Sequence, residues 1–431
     1  MRSATDECAR VIWVMAALPL LLLVMGQPVF IVLLASAACA LLWMLPIPPV
    51  AAHQILFGSL DTFALLAVPF FIFAGGIMGQ GGLSKRLVNW VLAFVGNLRG
   101  SLALTSVGTC TVFGAVSGSS PATVAAIGGV LYQPLREAGY PRGFSGGLLA
   151  SSGAIASIIP PSIAMILYGY AADQSVSDLF IAGIVPGILL GLALTLYIAL
   201  QAMRWHLEEG GRFAWAVVWR TTIDGMWALG MPAIVLGGIY GGVFSPTEAA
   251  GIACAYAIFV TMGVYRELNW KGLWQVAIQS TQLTAQIMVI VAAAGLFSYI
   301  LTVQGVPQSL TRTIGGLELS PWVLLLLLNV VLVMVGCLLD PASAILVLTP
   351  LLLPLITAAG IDPIHFGIIM TVNLSIGMFT PPFGLNLFIS QALFDIDLIE
   401  LYRGVLPFIV ISLAVLGLIT YLPLLSLALL R

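Results

Sequence analysis

Charge is what this chain has least of. Of its 431 residues, 15 are Lys or Arg and 17 are Asp or Glu, 7% in all, against 61% hydrophobic residues and a mean hydropathy of +1.12. A water-soluble fold needs far more polar side chains to cover its surface, so this scarcity excludes a soluble globular domain and points to an integral membrane protein. Histidine and cysteine are also sparse. His53, His206 and His365 cluster with none of Cys8, Cys39, Cys110, Cys254 and Cys337, and the cysteines show no paired spacing. No metal centre, disulfide framework or organic cofactor is therefore expected. Paired catalytic acids, a histidine inside the membrane and a nucleophile with a base in reach are all missing from the pattern, so no enzyme is expected. The net charge of −2 supplies no basic surface, and no nucleic-acid partner is expected.

What is present is a near-continuous series of apolar runs, from about residue 11 to residue 429, each able to cross roughly 30 Å of hydrocarbon. Residues 11–26 follow Arg10, as in a signal peptide, but Asp6 and Glu7 spoil a basic leader and apolar sequence resumes after Gly26-Gln-Pro28. They are read as a first span. Further spans are expected at 28–45, ending at Pro46-Ile-Pro-Pro49, and at 60–79, with an amphipathic interfacial helix at 85–95. A helical hairpin (101–116 and 121–135), a broken span (143–172) and an unbroken one (179–203) complete a first half, 1–205. Residues 206–224 form a cytoplasmic connection. The second half, 225–431, contains spans at 225–243, 247–265 and 275–303, an interfacial piece at 305–318, a second hairpin (322–338 and 341–357), a broken span (364–394) and a last span (404–430). Ser245-Pro-Thr-Glu248 has the spacing of a capping box, so Glu248 is read as the cap of its own helix and not as a functional acid.

The chain is organised around Val116-Ser-Gly-Ser-Ser-Pro-Ala-Thr123 and its echo Cys337-Leu-Leu-Asp-Pro-Ala-Ser343. Each places an N-cap residue before a helix-starting proline inside an apolar segment, which reads as the tip of a hairpin. Each precedes a double proline, Pro160-Pro161 and Pro381-Pro382. The tips are 220 residues apart (341 minus 121) and the double prolines 221 apart (381 minus 160). Gly183 with Pro186, matching Gly404 with Pro407, extends the same offset. The pattern is an internal duplication of five crossings and one re-entrant hairpin. Five is odd, so the second copy is inverted in the membrane. With the N-terminus outside, inner loops receive eleven of the fifteen basic residues, including Lys85, Arg86, Arg142, Arg266 and Arg403, the bias expected of a correct topology. The tips then enter from opposite faces and meet near the midplane.

Such tips have a defined chemistry. The arriving arm ends in carbonyls that suit a small cation, and the departing arm begins with amides and the positive end of its dipole, which suit an anion. A mid-span proline frees further carbonyls, here those of Ala156 and Ser157 and of Gly377 and Met378. Asp340 is the one acidic side chain placed deep in the membrane, where a bound cation or a plain N-cap role would account for it. Ser117, Ser119 and Ser120 occupy the mirror tip. Ser152 beside the first break, and Asn373 and Asn386 flanking the second, are candidates for substrate contact, together with Ser120.

Ala67-Val-Pro-Phe-Phe-Ile-Phe-Ala-Gly75, Gly114-Ala-Val-Ser-Gly-Ser-Ser-Pro-Ala-Thr123, Ile159-Pro-Pro-Ser162, Ser245-Pro-Thr-Glu-Ala-Ala250 and Phe379-Thr-Pro-Pro-Phe-Gly384 together resemble the large membrane subunit of TRAP (tripartite ATP-independent periplasmic) transporters. The resemblance covers nearly the whole chain. It implies a multi-pass protein of the bacterial inner membrane, all-α, built as an inverted repeat with two re-entrant hairpins and two broken helices. It also implies an elevator that imports a small organic acid with sodium. The implied partners are membrane lipid, a small four-helix membrane subunit on a separate polypeptide, and a periplasmic binding protein that delivers the substrate. Two sodium sites carried over from the family would use Ser117 and Ser119 with backbone around Ala156, Ile159 and Pro161, and Cys337 and Asp340 with Thr380 and backbone near Phe383. Cys337 stands beside Gly336, so the backbone ligand there belongs to one or the other. The competing expectation is a stand-alone sodium- or proton-coupled dicarboxylate symporter built on the same repeat. An intramembrane enzyme and a channel fit less well, the latter because tips from opposite faces suit alternating access better than a continuous pore.

Overall fold

The computed structural model describes residues 14–15, 17–43, 48–80, 82–205 and 213–430. Most of the proposed N-terminal leader or first span, including Asp6, Glu7 and Arg10, lies outside these residues, as do His206, Glu208, Glu209, Arg212 and Arg431. Among the described residues the chain is helical throughout, without strands. Eight helices are long and apolar enough to cross a membrane, and the protein is a multi-pass membrane protein.

Local chemistry sets the helix ends. Pro246, Pro321, Pro341 and Pro363 occupy first helical positions, where the absent N–H is no loss. Ser245 and Glu248 form the expected capping box, with the Glu248 carboxylate accepting from the Ser245 N–H at 2.8 Å. The hairpin arms fall at Ser101–Ser117 and Ser120–Glu137 and at Pro321–Leu338 and Pro341–Ala358. The broken spans are Arg142–Ala154 with Ile163–Ala172, and Pro363–Gly377 with Leu385–Phe394. Both intervening double prolines carry a cis bond.

Several boundaries differ from expectation. An extra helix, Pro49–Gly58, precedes the span that continues through Ala67–Gln80. The connection expected over 206–224 is helical from Trp215, because Trp215–Tyr240 is one helix. The charges of Arg220 and Asp224 conceal its apolar first turns, where Trp215, Val217 and Trp219 are exposed. The last span, Leu398–Tyr421, ends short of 430, and the short helix Leu424–Leu427 follows it.

Packing interlocks the halves. Ala67–Gln80 lies on Pro246–Ile258, and Trp270–Val303, its counterpart in the second half, lies on Val29–Trp43. The departing arm Ser120–Glu137 rests on Leu385–Phe394, and Pro341–Ala358 rests on Ile163–Ala172. Arg142–Ala154 packs on Leu398–Tyr421, and Pro363–Gly377 on Val176–Arg204. Each half thus covers apolar faces of the other, and one continuous buried cluster runs through both. The first arm of each hairpin instead packs on the first broken helix of its own half.

Loop contacts group as the charge pattern groups them. On the proposed inner side Arg86 forms a bidentate pair with Glu267, at 2.8 and 2.9 Å, and its guanidinium lies 3.8 Å from the centre of the Tyr265 ring. The Tyr265 hydroxyl donates to the Asp224 carbonyl at 2.6 Å. The hydrogen bond with Glu267 raises the Arg86 pKa further above its ordinary value, so Arg86 stays charged throughout the working pH range. Arg142 reaches the Asp395 carbonyl at 2.8 Å on the same side. On the proposed outer side Thr247 donates to the Phe63 carbonyl, Tyr170 to that of Ser59 and Tyr168 to that of Pro363.

Candidate functional site

Hairpin 1 turns on Gly118, whose φ of +57° lies in the left-handed region that glycine enters without a Cβ penalty. A Cβ there would stand 2.5 Å from the Pro161 carbonyl oxygen, so only glycine lets the tip reach the first break. The Gly118 carbonyl accepts from the Ile163 N–H at 3.3 Å, tying tip to break. Four residues earlier Gly114 approaches Ala156 so closely that a Cβ would lie 2.6 Å from its Cα. The first proposed ion set is thereby gathered: Ser117 and Ser119 at the tip, Ala156 and Pro161 against it. Ile159 is buried with them, its side chain packed against Gly187 of the long span.

Within the tip, the Ser117 hydroxyl lies 3.3 Å from the Ser119 carbonyl and 3.0 Å from the Thr123 hydroxyl. Thr123 in turn donates to the Ser119 carbonyl at 2.8 Å. This is a buried group of oxygen donors, the set a hard monovalent cation prefers. Thr123 was not among the expected site residues; its position four residues after Ser119, one helical turn on, was the available signal.

Hairpin 2 turns on the extended Leu339 and Asp340. The N-cap role of Asp340 is realised: its carboxylate accepts from the Ser343 N–H at 3.1 Å and from the Ser343 hydroxyl. The Cys337 thiol donates to the Val333 carbonyl one turn back, at 3.0 Å. Thr380 likewise donates to the Ile376 carbonyl at 2.7 Å, and the Phe383 side chain is 57% exposed. What joins hairpin 2 to the second break is a glycine pair, Gly336 and Gly377, where a Cβ on Gly377 would stand 2.3 Å from the Gly336 carbonyl carbon. Gly336 and Gly377 stand 222 and 221 residues after Gly114 and Ala156 (336 minus 114, 377 minus 156). The two hairpins therefore meet their breaks through the same contact.

Three of the four carbonyls expected to be freed by the breaks are engaged by protein donors. Ser157 accepts from the Ser162 hydroxyl, Gly377 from the Thr380 N–H at 3.0 Å and Met378 from the Asn386 N–H at 2.8 Å. The reason is local: each break is followed within a few residues by a polar group able to close it, since a bare buried carbonyl is costly.

The four expected substrate residues separate. Asn386 and Ser120 meet directly, with the Asn386 amide donating to the Ser120 hydroxyl at 2.7 Å and to the Ala150 carbonyl at 2.8 Å. Ser152 is buried nearby in sequence on Arg142–Ala154, its hydroxyl unpaired, as is the Asn386 side-chain oxygen. Asn373 is turned elsewhere. It donates to the Asn329 side-chain oxygen at 2.7 Å, and Asn329 donates to the Thr420 hydroxyl at 3.0 Å. His365 extends this buried chain, lying 3.3 Å from the Thr420 carbonyl and 3.2 Å from the Ser426 hydroxyl. The bundle interior therefore does contain a histidine. Sequence reading missed it because Asp362 and Pro363 mark a helix start, which normally lies at a surface.

The family model of the tripartite ATP-independent periplasmic transporter, DctM component, matches residues 16–425. The chain belongs to this DctM family. Among DctM relatives, the C4-dicarboxylate TRAP transporter large permease protein DctM of Pseudomonas aeruginosa is 43% identical over 374 residues, 87% of this chain and 88% of that protein. The isethionate TRAP transporter permease protein DctMQ of Oleidesulfovibrio alaskensis is 42% identical over 409 residues, 94% of this chain and 64% of that protein. The ectoine/5-hydroxyectoine TRAP transporter large permease protein UehC of Ruegeria pomeroyi is 39% identical over 400 residues, 92% of this chain and 93% of that protein. The DctM family consists of transporter permease subunits, not enzymes. In fold, the chain is similar to the Alcanivorax borkumensis YdaH transporter, with a TM-score of 0.62 over 94% of this chain and 97% of that one, at 17% identity. At that identity the likeness is one of fold alone.

Proposed function

We propose that this DctM-family subunit imports a small organic acid across the bacterial inner membrane, coupled to sodium, by an elevator movement. The observation that carries this reading is the pairing of each hairpin tip with a broken span through one repeated close contact, Gly114 with Ala156 and Gly336 with Gly377. The first break, at Ser157 to Ser162, lies well inside the span that runs from Arg142 to Ala172. A tip tied to it through Gly118 and Ile163 therefore sits at depth, which supports a re-entrant hairpin. Although Pro321–Leu338 and Pro341–Ala358 are each long enough to cross, the hairpin they form occupies the mirror position, and the inverted repeat makes it re-entrant too. The first half is 1–205 and the second 225–431.

One sodium ion is assigned to Ser117, Ser119 and the backbone near Ala156, Ile159 and Pro161. The other is assigned to Asp340, the backbone at Gly336 or Cys337, Thr380 and the backbone near Phe383. The capping bonds of Asp340 leave carboxylate lone pairs for an ion, since each oxygen accepts more than one contact. Between the tips, amides opening Ser120–Glu137 and Pro341–Ala358 hold the substrate carboxylate, with Ser120, Ser152 and Asn386 around it. The substrates in the relatives' names, a C4-dicarboxylate, isethionate and ectoine, support a small organic solute carrying an acidic group. The engagement of Asn373 with Asn329 removes it from the substrate set. Hairpins and broken spans move as one body against a scaffold that includes Trp215–Tyr240 and Pro246–Ile258.

A small four-helix subunit and a periplasmic binding protein complete the transporter. The chain accounts for 64% of the DctMQ relative, which supports a second permease component in the remainder. The deciding experiment is uptake of organic acids into liposomes holding this chain with its small subunit, with and without sodium and the binding protein. Uptake that needs both is expected. Uptake without the binding protein would favour a stand-alone symporter, and uptake indifferent to sodium would remove the coupling ion.

A further inference from the structure

We infer that Asn386 is a positioning residue that couples the two ion sites, an assignment that rests on the sodium reading above. Its three hydrogen bonds span every element of both sites. The backbone N–H donates to the Met378 carbonyl at 2.8 Å, two residues before Thr380. One side-chain N–H donates to the Ser120 hydroxyl at 2.7 Å, beside the oxygen group of Ser117 and Ser119, and the other donates to the Ala150 carbonyl at 2.8 Å. Because Ala150 presents only an acceptor, the orientation of the amide is fixed, and both its hydrogens are spent on protein. Asn386 is fully buried, so no water competes for these bonds.

The consequence is mechanical. The turn holding Thr380 and the tip holding Ser119 are held in register by one rigid side chain, so an ion that orders either turn orders part of the other. The second ion then meets a site whose ordering has already been done, which is positive cooperativity without any contact between the ions. The junction has no polar mirror image. The residue 221 positions earlier is Met165 (386 minus 221), whose thioether has no hydrogen to donate, so the coupling runs through this one junction.

The test is sodium binding to the purified full chain, measured with radioactive sodium across a concentration series, for wild type, Asn386→Leu and Ser120→Ala. Wild type is expected to bind with a Hill coefficient above 1. Asn386→Leu keeps the volume and removes the donors, and should bring the coefficient to about 1 while raising half-saturating sodium roughly 5-fold or more, the low end of ordinary site-to-site coupling. Ser120→Ala removes one bond, keeps the amide anchored on Ala150, and should give an intermediate coefficient even if Asn386→Leu does not fold. Wild-type binding that is absent would sink the sodium reading itself. Cooperative wild-type binding with an unchanged coefficient in Ser120→Ala would overturn the coupling alone, because loss of a mere packing or substrate contact leaves that coefficient where it was.

Discussion

Replacing Gly114 by alanine sets two known effects against each other. In a helix interior the change is favourable by about 1 kcal/mol, because alanine loses less backbone freedom on folding. Against this, the new methyl carbon would lie 2.6 Å from the Ala156 Cα and 2.8 Å from its Cβ, about 0.9 Å inside an ordinary carbon contact of roughly 3.5 Å. The obstructing atoms are a backbone carbon and a methyl attached to it, so no rotamer change relieves the clash and the two helices must separate. Overpacking of this kind costs about 1–3 kcal/mol, and the upper part of that range applies where backbone must move. The net expectation is a loss of about 1–2 kcal/mol. Gly129→Ala is the control, since no atom lies within 4 Å of its position and the propensity gain acts alone. Thermal unfolding of both purified variants should place Gly114→Ala a few degrees below wild type and Gly129→Ala at or above it. Equal melting temperatures for the two would refute the close approach of hairpin 1 to the first break. The depth argument for the tip would fall with it.

Gly377→Ala should be at least as damaging as Gly114→Ala, because the obstructing Gly336 carbonyl carbon stands 2.3 Å away; a milder melting shift would break the equivalence of the two hairpins. Asp340→Asn retains a good helix cap while removing the charge, so melting without sodium should hardly move and sodium-activated uptake should fall steeply; unchanged sodium activation would remove Asp340 from the ion site. Ser162→Ala strips the first break of a cap worth about 1 kcal/mol and leaves the Ser157 carbonyl unpaired at a further ~1 kcal/mol or more, readable as a loss near 2 kcal/mol in denaturant unfolding. Arg86→Gln should cost about 1 kcal/mol, discounted for the solvent reaching Glu267, and the deficit relative to wild type should shrink as salt screens the native pair.

The hairpins, the breaks and the offset near 221 residues were legible in the chain because each depends on a local rule. Proline removes a donor wherever it stands, an N-cap residue before proline starts a helix, and an apolar run of fixed length must be covered or span lipid. The capping roles of Glu248 and Asp340 were readable for the same reason, since cap and capped amide are three residues apart. The start of the helix at Trp215 was not, because the charges of Arg220 and Asp224 lower local hydropathy without breaking the helix.

Residue pattern by itself determined that this is a duplicated, all-helical membrane protein with polar tips placed beside proline breaks. Only the tertiary structure decided which polar groups meet. It joined Asn386 to Ser120 across 266 positions of sequence, turned Asn373 toward Asn329 and away from the tips, and buried His365 under the last span. A hydrogen bond is specified by position and direction in space, and packing of one half upon the other, which no local periodicity encodes, is what brings its donor and acceptor together.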